Sequence, residues 1–442
     1  MLNRIIVLVV LLPTFLFAQH TIKGTFSPAK DYNVALLYKA TPTISEYVTN
    51  AEIKEDGSFE FQLDSTATKG IYKLVYAVPQ EDYNFDIIYN AKEDIELTFN
   101  SETGVKFTSS SENKLLASYT NSMSMVTQSI GNYFRQQSTD TTALKTIFKT
   151  QKETQLNFEK AAQGTIALQF IKANKPYVPE VFEDVKTYIN NLEKHYFDYV
   201  DFNNKTLQSS SFLEERMLNY VFGMTSETLD EASNYKKNID VFCDAMKTVP
   251  NEVKRILLLD LWQQMADLGN EPIANYISET YLIDVALALN DQQLVNDLLL
   301  FKRVSLGKKA PDFSLEIEKD NKKITKKLSD LDTAENYIVV FWSSTCSHCL
   351  EEVPHLDTFV KAQEKGKIQV VAIGLEKEPY KWKDLTYDYP EFIHVYGEGK
   401  WDNAIGNDYG VTATPTYFIL DKDKHIIAKP EHFEDVKNFF EE

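Results

Sequence analysis

Hydrophobic positions change their spacing twice along the chain. Between residues 19 and 108 they alternate with polar ones. Ser58-Phe59-Glu60-Phe61-Gln62-Leu63 and Ile95-Glu96-Leu97-Thr98-Phe99 both send every second side chain to one face, the period of a half-buried strand. Ile71 to Tyr76 and Phe85 to Tyr89 are further strands, and Asp56-Gly57 predicts a hairpin turn, since glycine accepts a positive φ. This segment is expected to be a small all-β domain, a sandwich. From 109 to 304 the spacing becomes helical. Thr142 to Lys172 carries Leu144, Ile147, Phe148 and Leu156, and Asn251 to Leu268 carries Val253, Ile256, Leu257, Leu259 and Leu261. Pro176, Pro179 and Pro250 mark breaks between helices. From 305 to 442 strands and helices alternate. Tyr337 to Trp342 and Ile368 to Ile373 are continuous apolar strands, as expected when both faces of a sheet are covered. Thr416 to Leu420 is a third strand and Ile426-Ile427 an edge. Glu351 to Lys365 and Glu431 to Glu442 read as helices, giving an α/β domain with a central mixed sheet.

Residues 1–18 have a different pattern. Arg4 precedes a nearly unbroken apolar run from Ile5 to Phe17, and Ala18 stands before the polar Gln19. These are the parts of a secretory signal, and the run is too short to cross a bilayer. The mature chain is therefore expected to be periplasmic or otherwise exported and not membrane-spanning. The alternative is an uncleaved anchor. Of the 442 residues, 46 are Lys or Arg and 65 Asp or Glu, a net charge of -19 that repels phosphate backbones and argues against nucleic-acid binding. Three cysteines are too few for a disulfide scaffold. Cys243 lies on the helical stripe Ile239, Phe242, Cys243, Met246, where a buried, inert thiol is expected.

The other two cysteines carry the chemistry. Cys346-Ser347-His348-Cys349 follows a buried strand and begins a helix, where free amides and the macrodipole favour an anion. The first thiol of such a turn is the exposed nucleophile, and the second resolves the mixed disulfide. His348 would add positive charge near the thiolate. A zinc site would want a second ligand pair, and only His348 and His355 are near. A c-type haem would need His where Leu350 stands. A purely structural disulfide would close too short a loop to stabilise much. The strand–turn–helix context favours redox chemistry over all three, with no metal or organic cofactor.

Several stretches of the last third together resemble the TlpA and ResA family of exported thioredoxin-fold disulfide reductases. They are Gly307-Lys308-Lys309-Ala310-Pro311-Asp312-Phe313-Ser314-Leu315, Phe341-Trp342, Glu352-Val353-Pro354 and Gly410-Val411-Thr412-Ala413-Thr414-Pro415-Thr416. The β domain and helices before them resemble the longer TlpA-like proteins of Bacteroidetes-type bacteria. The resemblance implies a C-terminal thioredoxin fold in which Pro415 is a cis proline facing the disulfide and Thr414 shapes substrate contact. It implies that Glu352 tunes thiol ionisation or moves a proton, and that Trp342 and His348 join the substrate-binding surface. A solvated first-turn carboxylate is the competing reading of Glu352. Thioredoxin has a buried Asp six positions before its first cysteine, and this chain has Val340 there, so a proton relay must come from elsewhere. The family commonly has Trp where Thr345 stands, and His348 resembles more oxidising members such as DsbA and protein disulfide isomerase.

The expected function is exchange of a Cys346–Cys349 dithiol/disulfide with protein substrates, more as reductase than oxidase. A reductase in an oxidising space needs a membrane electron donor, and the resemblance implies a CcdA- or DsbD-like partner. Two alternatives remain. A peroxiredoxin-like thiol peroxidase shares the Ala310-Pro311-Asp312-Phe313 entry, but Ser343 replaces the required Thr and no Pro precedes it. An adaptor would use the residues before 305 for binding, with the thiols accessory.

Overall fold

The computed structural model describes residues 20–441 apart from 65, 81, 227, 320 and 321. The expected signal segment, residues 1–18, lies outside them. Residues up to Leu257 form one compact unit and those from Leu258 another. Among the described residues no helix is long and apolar enough to cross a membrane.

The first unit opens with eight strands: β1 Thr21–Ser27, β2 Val34–Ala40, β3 Ser45–Glu52, β4 Ser58–Gln62, β5 Gly70–Val75, β6 Asn84–Tyr89, β7 Ile95–Asn100 and β8 Gly104–Ser109. They form two four-stranded sheets, ordered β4-β1-β7-β8 and β3-β2-β5-β6. The alternation seen in the sequence fills the space between them: Ile22, Phe26, Phe59, Phe61, Leu97 and Phe99 from one sheet meet Leu37, Tyr72, Leu74 and Ile87 from the other. The Asp56-Gly57 turn forms, with Gly57 at φ +81 and its N–H donating to Lys54 O at 2.8 Å. It is not a hairpin, however, because β3 and β4 lie in different sheets. A Cβ at Gly57 would sit 2.3 Å from Phe26 O, so the chain crosses between sheets where only glycine fits.

Among the described residues, seven helices follow wholly within this unit: α1 Ser111–Arg135, α2 Thr141–Ala161, α3 Ala167–Ala173, α4 Val185–Lys194, α5 Lys205–Gln208, α6 Phe212–Gly223 and α7 Glu231–Ala245. The expected run from Thr142 to Lys172 breaks at Gly164, which adopts φ +78. Its buried face also departs from the apolar count. After Leu144 and Phe148 it continues through Gln151 and Gln155, while Leu156 is exposed. Gln155 is satisfied there by Tyr119 Oη at 2.8 Å and by Ile171 O at 3.0 Å, so a polar network replaces the expected leucine. At the start of α1, Asn113 imitates a neighbouring strand. It accepts from Ile88 N at 2.9 Å and donates to Ile88 O at 2.7 Å, closing the ladder of β6. Cys243 is mostly covered on its stripe, and burial pushes its thiol up to about 12.

α8 Asn251–Asp267 carries the boundary between units. The second unit continues with α9 Glu271–Ile277, α10 Ile283–Ala288 and α11 Gln292–Arg303, joined by a π turn at Ser278–Leu282. These helices are tied to the α/β region by Arg303–Asp408 at 2.9 Å and by the buried Glu271, which binds Lys429 and Leu306 N. The α/β region contains the hairpin β9 Ser314–Lys319 and β10 Lys322–Lys327, then β11 Asn336–Trp342, α12 Ser347–Lys361, β12 Ile368–Glu376, α13 Tyr380–Thr386, β13 Ile393–Glu398, α14 Ala404–Asp408, β14 Thr416–Asp421, β15 Ile426–Ala428 and α15 Phe433–Glu441. The sheet is ordered β13-β12-β11-β14-β15. β12 lies parallel to β11 and to β13, whereas β14 is antiparallel to β11 and β15. Along β11, Tyr337, Val339 and Phe341 enter one core and Ile338, Val340 and Trp342 the other. Both faces are covered, which explains why this strand shows no polar alternation.

Candidate active site

The reactive turn sits where β11 hands over to α12. The helix begins at Ser347, four residues before the expected Glu351, and Cys346 is its N-cap. Its extended backbone turns Sγ back over the first turn, so that Cys349 N–H donates to Cys346 Sγ at 3.2 Å. An amide that would otherwise lack a partner thus stabilises the sulfur. In its thiol form Cys346 donates to Thr414 O at 3.1 Å. Thr414 precedes a cis bond to Pro415, and that carbonyl faces the sulfur.

The two thiols, both free, are electrostatically unlike. Partial burial opposes ionisation of Cys346, but hydrogen bonds from Cys349, the Thr414 side chain and the His348 backbone outweigh it and hold the thiol below its ordinary range. Cys349 has no exposed surface. Burial, reinforced by its hydrogen bond with Cys346, pushes it up to about 12. The turn therefore presents one ionisable sulfur at the surface and keeps one protonated sulfur beneath it.

Most of the residues singled out in the sequence converge here, in different capacities. His348 is exposed and bears on Cys346 through its backbone N–H. Thr414 and Pro415 line the partly exposed rim. Trp342 does not reach the surface: it is 1 % exposed and packs edge-on to Tyr389 in the core that also holds Cys349. Its expected place in the substrate-binding surface is corrected to that of a wall behind the resolving thiol, because the apolar strand continues to its last residue. Glu352 is not a solvated first-turn carboxylate. Its Oε2 accepts from Tyr417 Oη and from Phe433 N, both at 2.9 Å, and its Oε1 lies 3.5 Å from His432 Nδ1.

Three neighbours carry no motif. Tyr417, 1 % exposed, holds Glu352 from β14. Glu376, 4 % exposed at the end of β12, accepts from Ser344 N and anchors the loop before Cys346. Lys400 Nζ reaches Thr345 Oγ1 at 3.4 Å. A buried carboxylate at the end of an apolar strand was the one visible signal for Glu376. The loop itself is closed by Cys346 N to Ser343 O at 3.1 Å and by Ser343 Oγ to Thr345 Oγ1 at 2.9 Å. Among the described residues no group of three or more His, Cys, Asp or Glu side chains is placed to hold a metal ion.

The Redoxin family model matches residues 305–440. The chain is 29% identical over 129 residues to the thiol-disulfide oxidoreductase ResA of Bacillus anthracis, covering 29% of this chain and 70% of that protein. It is 35% identical over 127 residues to the thiol:disulfide interchange protein DsbE of Xylella fastidiosa, covering 26% and 56%. Among solved structures, a domain of a possible thiol-disulfide isomerase from Cytophaga hutchinsonii is 32% identical, covering 30% of this chain and 90% of its own, with a TM-score of 0.26. A thioredoxin-like protein from Bacteroides caccae covers 60% of this chain and 96% of its own at 16% identity and a TM-score of 0.31.

Proposed function

With a TlpA/ResA-like thioredoxin-fold oxidoreductase domain at residues 305–440, we propose that the chain is an exported thiol–disulfide oxidoreductase that reduces protein disulfides through Cys346 and Cys349. The observation that carries this reading is the asymmetry of the pair: a partly exposed sulfur held below the ordinary thiol range above a buried one pushed up to about 12. Cys346 attacks a client disulfide as thiolate. Cys349 then displaces the client from the mixed disulfide, leaving a Cys346–Cys349 disulfide and a reduced client. Thr414 and Pro415 border the sulfur where a client's chain would lie, and His348 flanks it. Export rests on the pattern of residues 1–18. In that oxidising setting the disulfide is re-reduced by a membrane electron donor of the CcdA or DsbD kind.

The test is the equilibrium reduction potential of the pair in glutathione buffers, together with reduction of a model client disulfide. A potential near thioredoxin's, about -270 mV, is expected, and one near DsbA's, about -120 mV, overturns the reductase direction. Cys346→Ser is expected to abolish exchange. Full activity in that variant overturns the assignment itself.

A further inference from the structure

The Thr414-Pro415 loop must stand in one place to face Cys346, and its supports reach outside the redox domain. Thr412 and Ala413 are exposed, so the loop is placed by its two ends. At the far end Thr416 pairs with Phe341 of β11, and its Oγ1 donates to Ala413 O at 2.7 Å. The near end is the C-terminal cap of α14. There Gly410, at φ +67, donates its N–H to Asn407 O at 3.1 Å, and Val411 N–H donates to Gly406 O at 2.9 Å. That end is weakly built on its own. α14 has five residues, too few for a helix to stand without packing, and of these only Gly406 is buried.

The packing comes from α11. Arg303 binds Asp408, the last residue of α14, at 2.9 Å. Leu300 lies one turn earlier on the same face of α11 and covers the open side of Gly410. A Cβ on that glycine would lie 3.4 Å from Leu300 Cδ2 and 3.5 Å from its Cγ, ordinary contact distances. Just past the helix, Val304 enters the core that holds Tyr409 and Val411, the two neighbours of Gly410. The remaining buried residues of α11, Leu294, Val295 and Leu298, belong to its other side, and Leu298 lies about 200° round the helix from Leu300. α11 ends at Arg303, before the Redoxin match begins at 305.

Resting on the oxidoreductase reading above, we propose that Leu300 is a positioning residue of the exchange site. It touches neither sulfur; it holds the cap of α14 so that Thr414 and Pro415 stand against Cys346 and the client chain. The working exchange unit therefore includes the last helix before residue 305, and a displacement of α11 slackens the loop that meets the client.

The pH profile of Cys346 reports the loop, because Thr414 is among the groups that favour its thiolate. Iodoacetamide labelling of the reduced full-length protein is followed at the Cys346 peptide across pH, and single-turnover reduction of insulin is measured alongside. Leu300→Ala is expected to move the labelling midpoint up by about 0.7 of a pH unit, the fivefold that one lost hydrogen bond is worth. Insulin reduction at pH 7 should slow by about fivefold or more. Leu300→Met refills the contact and should bring both back to within about twofold of wild type. Leu298→Ala is the control: it removes the same atoms from the opposite side of the helix, and should lower the urea midpoint while leaving the labelling profile in place. A labelling midpoint in Leu300→Ala within about 0.2 of a pH unit of wild type overturns the proposal. An equal shift in Leu298→Ala overturns it too, since general loosening would then be the cause. If Leu300→Ala fails to fold, Leu300→Val decides: a smaller shift in the same direction is expected, and none overturns the proposal. Failure of the wild-type protein to reduce insulin would instead sink the oxidoreductase reading.

Discussion

Replacing Cys346 with Ser leaves Cys349 as the sole sulfur of the reactive turn and exposes its protection to measurement. Burial leads among the causes that push Cys349 up to about 12 and stays in place in the variant; the hydrogen bond with Cys346, the next cause, passes to the serine hydroxyl, and only the small charge contribution of Cys346 is lost. At pH 8 such a thiol is ionised to about one part in ten thousand, against roughly a quarter for an ordinary cysteine. Because the thiolate is the nucleophile, ionisation alone lowers alkylation by roughly 2,000-fold. A more basic thiolate is intrinsically more reactive, and over some three and a half pKa units that returns about 40-fold. The balance is a reaction about 50-fold slower, before the lack of any exposed surface is counted. The assay is iodoacetamide labelling at pH 8, quantified at the Cys349 peptide by mass spectrometry, with the same variant unfolded in urea as reference. The native rate should be at least 50-fold lower and should rise about tenfold per pH unit to pH 10, where the reference has levelled off. Labelling of the folded variant within about tenfold of the reference would refute the reasoning.

The remaining predictions concern stability. In Gly374→Ala the new Cβ would lie 1.9 Å from Trp382 Nε1, and since that indole is buried the clash is expected to cost about 1–3 kcal/mol. All four tryptophans (262, 342, 382 and 401) lie beyond Leu258, so fluorescence-monitored urea denaturation reports the second unit, and an unchanged midpoint contradicts the packing. Asn113→Ala strands both backbone groups of Ile88, each worth about 1–3 kcal/mol when buried without a partner. Amide exchange across β6 should accelerate accordingly, and wild-type protection there would show that the clamp is idle. Alkaline pH acts through Cys349. Below about 8.5 it is protonated in both states, and above that only the unfolded chain releases its proton, so stability falls with rising pH by about 1.4 kcal/mol per unit. Between pH 8.5 and 10 the second unit should therefore lose stability faster in wild type than in Cys349→Ser. Parallel losses would mean the thiol is not held protonated.

Periodicity exposed the three regimes of this chain because each regime buries its side chains differently. Strands of the sandwich bury one face, and Phe59 and Phe61 show it directly. β11 buries both faces and shows an unbroken apolar run. Where polar groups entered a core the pattern misled: Gln151 and Gln155 continue the face of α2, and Leu156 does not. The hairpin at Asp56-Gly57 failed for a related reason. A turn signal specifies local φ and ψ, whereas which sheet each strand joins depends on partners far along the chain. The hairpin β9–β10 and strand β13 passed unread because their alternation is short or interrupted.

Within the reactive site, sequence alone determined the two sulfurs, their order and their seat at a helix start, since three-residue spacing and a preceding apolar strand are local facts. The cis geometry at Pro415 was expected from resemblance and lies against Cys346. Only the tertiary structure decided that Trp342 is a wall and not a surface, that Glu352 is held by Tyr417 and Phe433, and that Glu376 supports the loop before Cys346. Those contacts join residues 32 to 81 positions apart. No local pattern encodes them; they exist because parallel β12, antiparallel β14 and the terminal helix come back beside β11 and α12, and that return is set by how the whole sheet buries its two faces.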